Sequence, residues 1–583
     1  MPSSEVKNQV ILHDLTSSRW FHFTNPHQIV EARRIDEVLP ALERIERLVT
    51  DEGWYAAGYI SYEAAGAFDS ALCTHAAGDL PLLWFGLYST PGLFELPRPD
   101  FGAYTLGSLV PSVDKREYER AIDRIKQYIH SGDTYQVNYT LQLQFLFSGD
   151  PWHLFLAMVH AQKAGYAAWI DAGHNVICSV SPELFFRLEG DRLICKPMKG
   201  TVKRGRTLAE DEAFAEWLQH SEKNRAENLM IVDMIRNDLG RVAEPGTVQT
   251  TSLFDVERRP TLWQMTSTVT ARCSESLKEI MAVLFPCASI TGAPKFRTTQ
   301  IIEELESIPR GVYTGCIGYF APGRIAQFNV AIRTAVVDRL EGRACYGAGG
   351  GIVWDSDGDD EYTEALLKAR VLEEQRPEFS LLETILWTPE ESYFLLDYHL
   401  KRLKDSATYF DFTVDIDGIR LQLQRRVDEF AGFPQRIRLL VSNAGKAQIE
   451  SIVMAIEKPD RLLRIQLARE PVDSAEIFLY HKTTCRKIYE SAQKEFPDCD
   501  DVLLWNERGE LTESCIANLV VQLHGRLLTP PVESGLLPGV FRASLIEQGR
   551  IAEQKITVGD LKRCTKIYLI NSVRKWRQAI LIR

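Results

Sequence analysis

The polar run VLEEQRPEFS, residues 371–380, constrains this chain more than any other feature. Pro377 can neither donate a ladder hydrogen bond nor continue a helix, and it pushes the residue before it out of the helical region. The chain breaks there, and each flanking segment must bury a core of its own. Size requires the same division, because the chain has 583 residues and single cores stop growing at about 250–300. Length alone suggests about three or four compact units of roughly 150 residues. Charge also divides at this seam. From Ser380 onward there are 28 acidic and 29 basic residues, whereas the part before it holds 51 acidic and 38 basic.

The net charge of −12 leaves no broadly cationic surface, which argues against nucleic acid or an anionic membrane as a partner. No run approaches the roughly 18 unbroken apolar residues of a membrane span. The opening MPSSEVKNQVILHDL lacks a basic stretch followed by an apolar core, so no secretory leader is expected. The 11 cysteines include no C-x-x-C pair, which points to reduced thiols in the cytoplasm rather than disulfides or a zinc site.

Periodicity predicts a helix over 114–131, with Tyr118, Ile122, Ile125 and Ile129 on one face and a stop at Gly132-Asp133. YQVNYTLQLQFLF (135–147) alternates like a half-buried strand, and 175–197 reads as a hairpin turning at Glu189-Gly190-Asp191. Residues 209–239 read as one long helical region, and FNVAIRTAVVD (328–338) as one buried strand. Beyond the seam come a strand pair, a helix at HLKRLKDSATYF, strands at 436–442 and 463–469, and a final strand IYLINS.

Four features stand out before the seam. PMKGTVKRG (197–205) holds Lys199 in a Pro/Gly-bracketed turn, and ENLMIVDMIRNDLGRV (227–242) puts Glu227 on a helix. SITGAPKFRTTQIIEELE (289–306) is a loop opening a helix, whose free N–H groups suit a carboxylate or phosphate. YGAGGGIVWDSDGDDEYTEALLKA (346–369) reads as a glycine-rich loop feeding a helix with Glu361 and Glu364 one turn apart. Glu227 and Glu364 could supply oxygens to Mg²⁺, which takes one or two carboxylates plus substrate oxygens. Each feature alone has a commoner structural reading: a turn, a solvated face, a surface lysine.

In this order, they resemble the chorismate-utilising enzymes from about residue 115 to 370, with weaker similarity back to 58. The resemblance implies a large α/β sandwich domain. Anthranilate, isochorismate and salicylate synthases carry a small residue where this chain has Lys199. In the family, lysine there marks aminodeoxychorismate synthase component I, in which it attacks C2 of chorismate and expels the C4 hydroxyl before ammonia displaces it. Gln136 stands where the water-adding relatives carry a lysine base. By the same carry-over, Glu183 is the general acid, and Glu227 and Glu364 hold Mg²⁺ with Glu361 beside them. Tyr313 and Arg333 grip the enolpyruvyl carboxylate. Thr291, Gly292 and the backbone of Gly349 and Gly350 line the same substrate site. Gln264 departs from the histidine of many relatives.

After the seam, HKTTCR (481–486) places Lys482 among small hydroxyl residues, Glu513 follows a turn, GLLPGVFR (535–542) is a loop feeding a helix, and HLKRL puts His399 and Arg402 on one turn. Together these resemble the fold-type IV pyridoxal-phosphate (PLP) enzymes, the class IV aminotransferases, which include aminodeoxychorismate lyase. The resemblance implies a smaller two-lobed domain. It makes Lys482 the PLP lysine and Glu513 the partner of the pyridine nitrogen. Arg402, the N–H groups of Gly539 and Val540, and Ser572 become phosphate ligands, and Asn571 faces the substrate carboxylate. The family's N-terminal segment is shortened here, and Lys575 replaces a usual glycine.

The fold class expected is therefore α/β followed by α+β: residues 1–372 a chorismate-utilising domain, 373–380 a linker, and 381–583 a lyase-like PLP domain. The two halves imply consecutive steps from chorismate and ammonia to 4-aminobenzoate, a folate precursor, with Mg²⁺ and PLP as cofactors. The class I glutaminase signature G-x-C-x-G-x-Q is not found in the sequence, so a separate glutamine amidotransferase subunit is the expected ammonia source. A homodimer is expected from fold-type IV relatives. The alternatives are an anthranilate synthase-like chain fused to an aminotransferase, and a non-catalytic regulatory chain with decayed sites.

Overall fold

A computed structural model describes residues 7–162, 165–373, 377–430, 432–454 and 461–582. The chain forms two compact units. One holds the chain up to Lys203 and again from Ala215 to the seam; the other holds Arg204–Phe214 and the chain from Pro377 onward. Of the expected linker, 374–376 lie outside the described residues. Its end is packed rather than loose: the Phe379 ring lies 4.9 Å from Phe410 and 5.1 Å from Phe478.

The first unit stacks two large antiparallel sheets, of 11 and 10 strands among the described residues. Between them lies one apolar layer that includes Leu12, Phe23, Tyr59, Trp84, Ile170 and Ile317. Helices cover both outer faces. Ile35–Glu52, Glu222–Gly240 and Leu277–Leu284 pack on one sheet. Lys115–His130, Pro151–Gln162, Lys295–Leu305 and Gly358–Lys368 pack on the other. Sequence logic explains the local forms. Asp114 and Glu117 make a reciprocal capping box at the start of Lys115–His130. Gly190, with φ 62°, turns the expected hairpin between Leu184–Glu189 and Arg192–Lys196.

In the second unit, among the described residues, a four-stranded antiparallel sheet carries the helices Leu396–Phe410 and Ile416–Arg426. A second sheet of eight strands closes on itself, because Leu511–Ser514 pairs both with Asp501–Trp505 and, through Glu513 and Asn518, with Asn518–Leu523. The barrel so formed is filled by Ile465, Leu503, Leu519, Val521 and Leu569.

Four expectations need correction. Residues 209–239 form two helices, Leu208–His220 and Glu222–Gly240, because the Ser221 hydroxyl caps the second. The glycine-rich "loop" is the strand Arg343–Ile352, its glycines letting main chains approach: a Cβ on Gly349 would meet Tyr139 O at 2.3 Å. The run 328–338 is two strands in different sheets, Ile325–Val330 and Thr334–Asp338, broken where Arg333 turns left-handed with φ 53°. Another strand, Lys575–Leu581, follows the one expected to be last.

Gly58 pairs with Phe85 and Gly318 at the centre of the 10-stranded sheet, and a Cβ there would meet Trp84 O at 2.0 Å. Backbone on a central strand has nowhere to move. Gly58→Ala should destabilise the first unit by about 1–3 kcal/mol, read as an earlier chemical-denaturation midpoint.

Candidate active sites

A cavity of about 1400 Å³ opens in the first unit. Lys199, Glu227, Tyr313, Arg333, Gly349, Gly350, Glu361 and Glu364 all line it. The strand Met198–Lys203 brings Lys199, the helix Glu222–Gly240 brings Glu227, and the helix Gly358–Lys368 brings Glu361 and Glu364. Lys199 reaches toward the glycine-rich strand: a Cβ on Gly351 would stand 2.6 Å from its Nζ and 2.6 Å from Nε2 of Gln136. The missing side chain leaves room for both nitrogens. Burial drives the Lys199 amine below the ordinary lysine range, against the pull of Glu227 and with help from Lys368. Lowering that pKa raises the fraction of neutral, nucleophilic amine.

Glu183 and Gln136 stand just behind this wall. Glu183 follows the strand Asn175–Ser181, is buried, and accepts a 2.6 Å hydrogen bond from Ser289 Oγ. Burial pushes its carboxyl up to about 7, with Ser289 and Lys199 opposing. Such a group keeps a proton near neutrality and can deliver it. Gln136 is fully buried, and neither end of its carboxamide meets a partner among the described residues. Thr291 and Gly292 also lie behind the wall. The Thr291 hydroxyl donates to Cys287 O at 2.9 Å, and Gly292, with φ 133°, lets its loop approach Gln136 O. Their neighbour Ile290 is what reaches the cavity.

The Tyr313 ring lies against Gly347, where a Cβ would meet its Cγ at 2.2 Å. Arg333 reaches the cavity from the left-handed break and donates to Lys368 O at 3.3 Å. Ser356 Oγ donates to Glu361 at 2.7 Å, and Lys368 pairs with Glu364 at 2.8 Å. Burial raises the Glu361 carboxyl, with Glu364's charge adding to it. Glu364 is held below the ordinary range by Lys368 despite burial. Among the described residues no three metal-ligating side chains form a complete cage. Hard carboxylates facing open space fit Mg²⁺, which keeps waters or substrate oxygens as its other ligands.

In the second unit, Lys482 lies beside the strand Leu381–Thr388, and Leu382 N–H donates to Lys482 O at 2.9 Å. Burial, with Arg402 acting the same way, lowers its amine to about 8. Glu513 sits at the barrel closure. It accepts hydrogen bonds from Tyr489 Oη at 2.8 Å, Leu537 N at 3.0 Å and Asn518 Nδ2 at 3.1 Å. All three donors are neutral, and burial pushes the carboxyl up to about 7. A protonated pyridine nitrogen would supply the missing cation. The helix Val540–Glu547 starts at Gly539 without a side-chain cap, so its first N–H groups stay open to a phosphate. A Cβ on Gly539 would stand 1.8 Å from Asn518 Oδ1. These residues fit PLP.

Arg402 offers less to a phosphate than expected. Its Nε and Nη2 bind Glu383 at 2.8 and 2.7 Å, and Nη1 donates to Pro538 O at 3.3 Å. Ser572 Oγ donates to Thr384 O at 3.3 Å. Asn571, expected to face the substrate carboxylate, makes main-chain contacts. Its Oδ1 accepts from Val573 N at 3.1 Å and Arg574 N at 2.7 Å, and its Nδ2 donates to Ile516 O at 3.3 Å. Both ends of the amide hold main chain, so it shapes the turn.

The family model for chorismate binding enzymes matches residues 7–374. The chain belongs to the chorismate binding enzyme family. Residues 380–582 match the amino-transferase class IV family. Aminodeoxychorismate synthase of Streptomyces griseus is 43% identical over 279 residues, 47% of this chain and 38% of that protein. Aminodeoxychorismate synthase component 1 of Escherichia coli K12 is 39% identical over 282 residues, 48% of this chain and 61% of that protein. The chain thus spans less than two thirds of these relatives. Anthranilate synthase component I of Streptococcus pneumoniae superposes with a TM-score of 0.54 at 23% identity, over 64% of this chain and 94% of that one. At that identity the likeness shows the fold alone.

Three polar residues at these sites went unread in the sequence. Lys368, one turn past Glu364, neutralises the carboxylates of the chorismate-family cavity. Ser289 holds Glu183. Glu383, deeply buried, is kept ionised at about 2 by Arg402 and His399 against its burial. Gln264 has a place too: its Nε2 donates to Gly200 O at 2.9 Å, next to Lys199.

Glu183 yields a stability test. Its folded pKa lies above the ordinary 4.5, so the folded state binds the extra proton and stability falls as pH rises from about 4.5 to about 7. Glu183→Gln removes that loss. Denaturant unfolding at pH 5 and pH 8 should show the variant losing less stability than the parent across this span, by about 2–3 kcal/mol.

Proposed function

We propose that this chain makes 4-aminobenzoate from chorismate in two steps, one in each unit. In the first, the Lys199 amine attacks C2 of chorismate, both conjugated ring double bonds shift, and the C4 hydroxyl leaves with a proton from Glu183. Ammonia then attacks C4, both double bonds shift back, and the lysine is released, giving 4-amino-4-deoxychorismate. Mg²⁺, held by Glu227 and Glu364, would neutralise the ring carboxylate. Tyr313 and Arg333 would hold the enolpyruvyl carboxylate, for which a guanidinium is well shaped.

In the second unit, PLP when bound supplies an electron sink. Lys482 would hold the cofactor and would accept the C4 proton of the amino-substituted ring. Glu513 would keep the cofactor's ring nitrogen protonated, and the N–H groups of Gly539 and Val540 would face its phosphate, with the charge of Arg402 nearby. Pyruvate leaves, and aromatisation makes the step one-way. Ammonia comes from a separate glutamine amidotransferase subunit or from ammonium in solution, and the reactions belong in the cytoplasm.

The observation that carries this reading is the desolvated Lys199 amine in the carboxylate-lined cavity, where anthranilate-forming relatives have a small residue. Purified chain given chorismate, MgCl₂, ammonium and PLP should release 4-aminobenzoate and pyruvate. Lys199→Ala should slow chorismate consumption by at least about a thousandfold, the scale of losing a covalent nucleophile. Lys482→Ala should leave 4-amino-4-deoxychorismate as the end product. Fluorescent anthranilate as the main product would refute the assignment of the first step.

A further inference from the structure

We infer that Arg204–Phe214 is a positioning strap of the PLP half, holding the segment that carries Lys482 through Tyr480 and His481. The inference rests on Lys482 being the PLP lysine.

In the chain this segment follows the strand Met198–Lys203, yet it belongs to the second compact unit. It is built to hold one shape. Arg204 grips Asp211 with two parallel hydrogen bonds of 2.7 Å, the side chains being only 7% and 1% exposed. Asp211 also accepts Gly205 N–H at 2.8 Å. No other residue suits position 205, because a Cβ there would stand 2.2 Å from Asp211 N. A buried pair of this kind is strongly disfavoured when one member is lost, so it fixes the segment's conformation.

The fixed shape presents a row of polar contacts. The Arg204 guanidinium lies 4.5 Å from the Tyr409 ring centroid and donates to Tyr409 O at 2.9 Å, while Tyr409 Oη donates to Gly205 O at 2.7 Å. Arg206 Nη1 donates to Tyr480 Oη at 3.1 Å. Arg206 O faces His481 Nε2 at 3.1 Å. A carbonyl can only accept, so Nε2 carries the hydrogen and Nδ1 accepts from Ser406 Oγ at 3.0 Å. Burial lowers the ring's pKa to about 4, which keeps this neutral tautomer in place across the working pH range.

His481 and Lys482 are consecutive, between the short turn Ile477–Leu479 and the point where Thr483 pairs with Leu381. His481 is held by the strap and by the helix Leu396–Phe410. On the other edge, Leu382 N–H donates to Lys482 O at 2.9 Å and Thr484 N–H to Ser380 O at 3.0 Å. The placement of Lys482 thus depends on residues that lie in sequence between the chorismate-site strand and helix.

The test uses the full chain and two independent strap contacts, Arg206→Ala and Tyr409→Phe. Tyr409→Phe keeps the ring and loses one oxygen, so it carries the test should Arg206→Ala not fold. PLP affinity is measured by equilibrium dialysis, and the pH midpoint of PLP capture by visible absorbance. Each variant should bind PLP about three- to tenfold more weakly, the scale of one lost hydrogen bond. The capture midpoint should move up from about 8 as the lysine gains water. A merely structural role would lower the melting temperature and leave the midpoint unmoved. Parent-like affinity and midpoint in folded variants would overturn the strap. An unchanged visible band in Lys482→Ala would instead overturn the PLP-lysine reading on which it rests.

Discussion

Desolvation of amines and carboxylates is the constraint on which both candidate sites depend. In water a lysine is protonated and inert at neutral pH, and a glutamate has already lost its proton. Burial opposes both tendencies. It lowers Lys199 and Lys482 and raises Glu183 and Glu513 to about 7. Removing charge from water is unfavourable, so other ionised groups nearby must be paired. Lys368 does this for Glu364 in the first unit, and Arg402 for Glu383 in the second. Two unrelated folds use the same device: a half-buried lysine, a protonatable carboxylate, and a paired ion alongside.

The folds serve this by bringing distant strands close. In the sandwich, Gly351 leaves the space that Lys199 and Gln136 share. The left-handed break at Arg333 moves the chain from one sheet to the other and sends the guanidinium into the cavity. In the barrel, the closure between Glu513 and Asn518 puts the carboxylate beside the uncapped helix start at Gly539. Positive φ and missing Cβ atoms occur where the main chain must turn or approach closely, as is common at functional sites.

Long amphipathic elements were legible in the sequence because their period records a buried face. The helix Lys115–His130 and the strand Gln136–Gly149 follow directly from it. The lysines and glutamates were legible as ordered motifs through family resemblance, not through periodicity. What stayed hidden depends on tertiary placement. VAIRT alternates like a continuous strand, and only the need to cross between sheets breaks it at Arg333. Lys368 meets Glu364 through simple i,i+4 helix spacing, but only the fold brings it to Gly349 O of the glycine-rich strand. Asn571 sits in a suggestive motif, yet the turn after it takes its Oδ1 while its Nδ2 reaches Ile516 O. Nothing local marks Arg204–Phe214 as belonging with residues beyond Pro377.

Under the proposed function, one chain runs two consecutive reactions at two separate half-buried lysines. Mixing purified Lys199→Ala and Lys482→Ala chains tests it most directly, with chorismate, ammonium, MgCl₂ and PLP supplied and 4-aminobenzoate followed over time. Neither variant alone should make 4-aminobenzoate, whereas the mixture should, after a lag in which 4-amino-4-deoxychorismate accumulates. Formation of 4-aminobenzoate at the parent rate by either variant alone would contradict it.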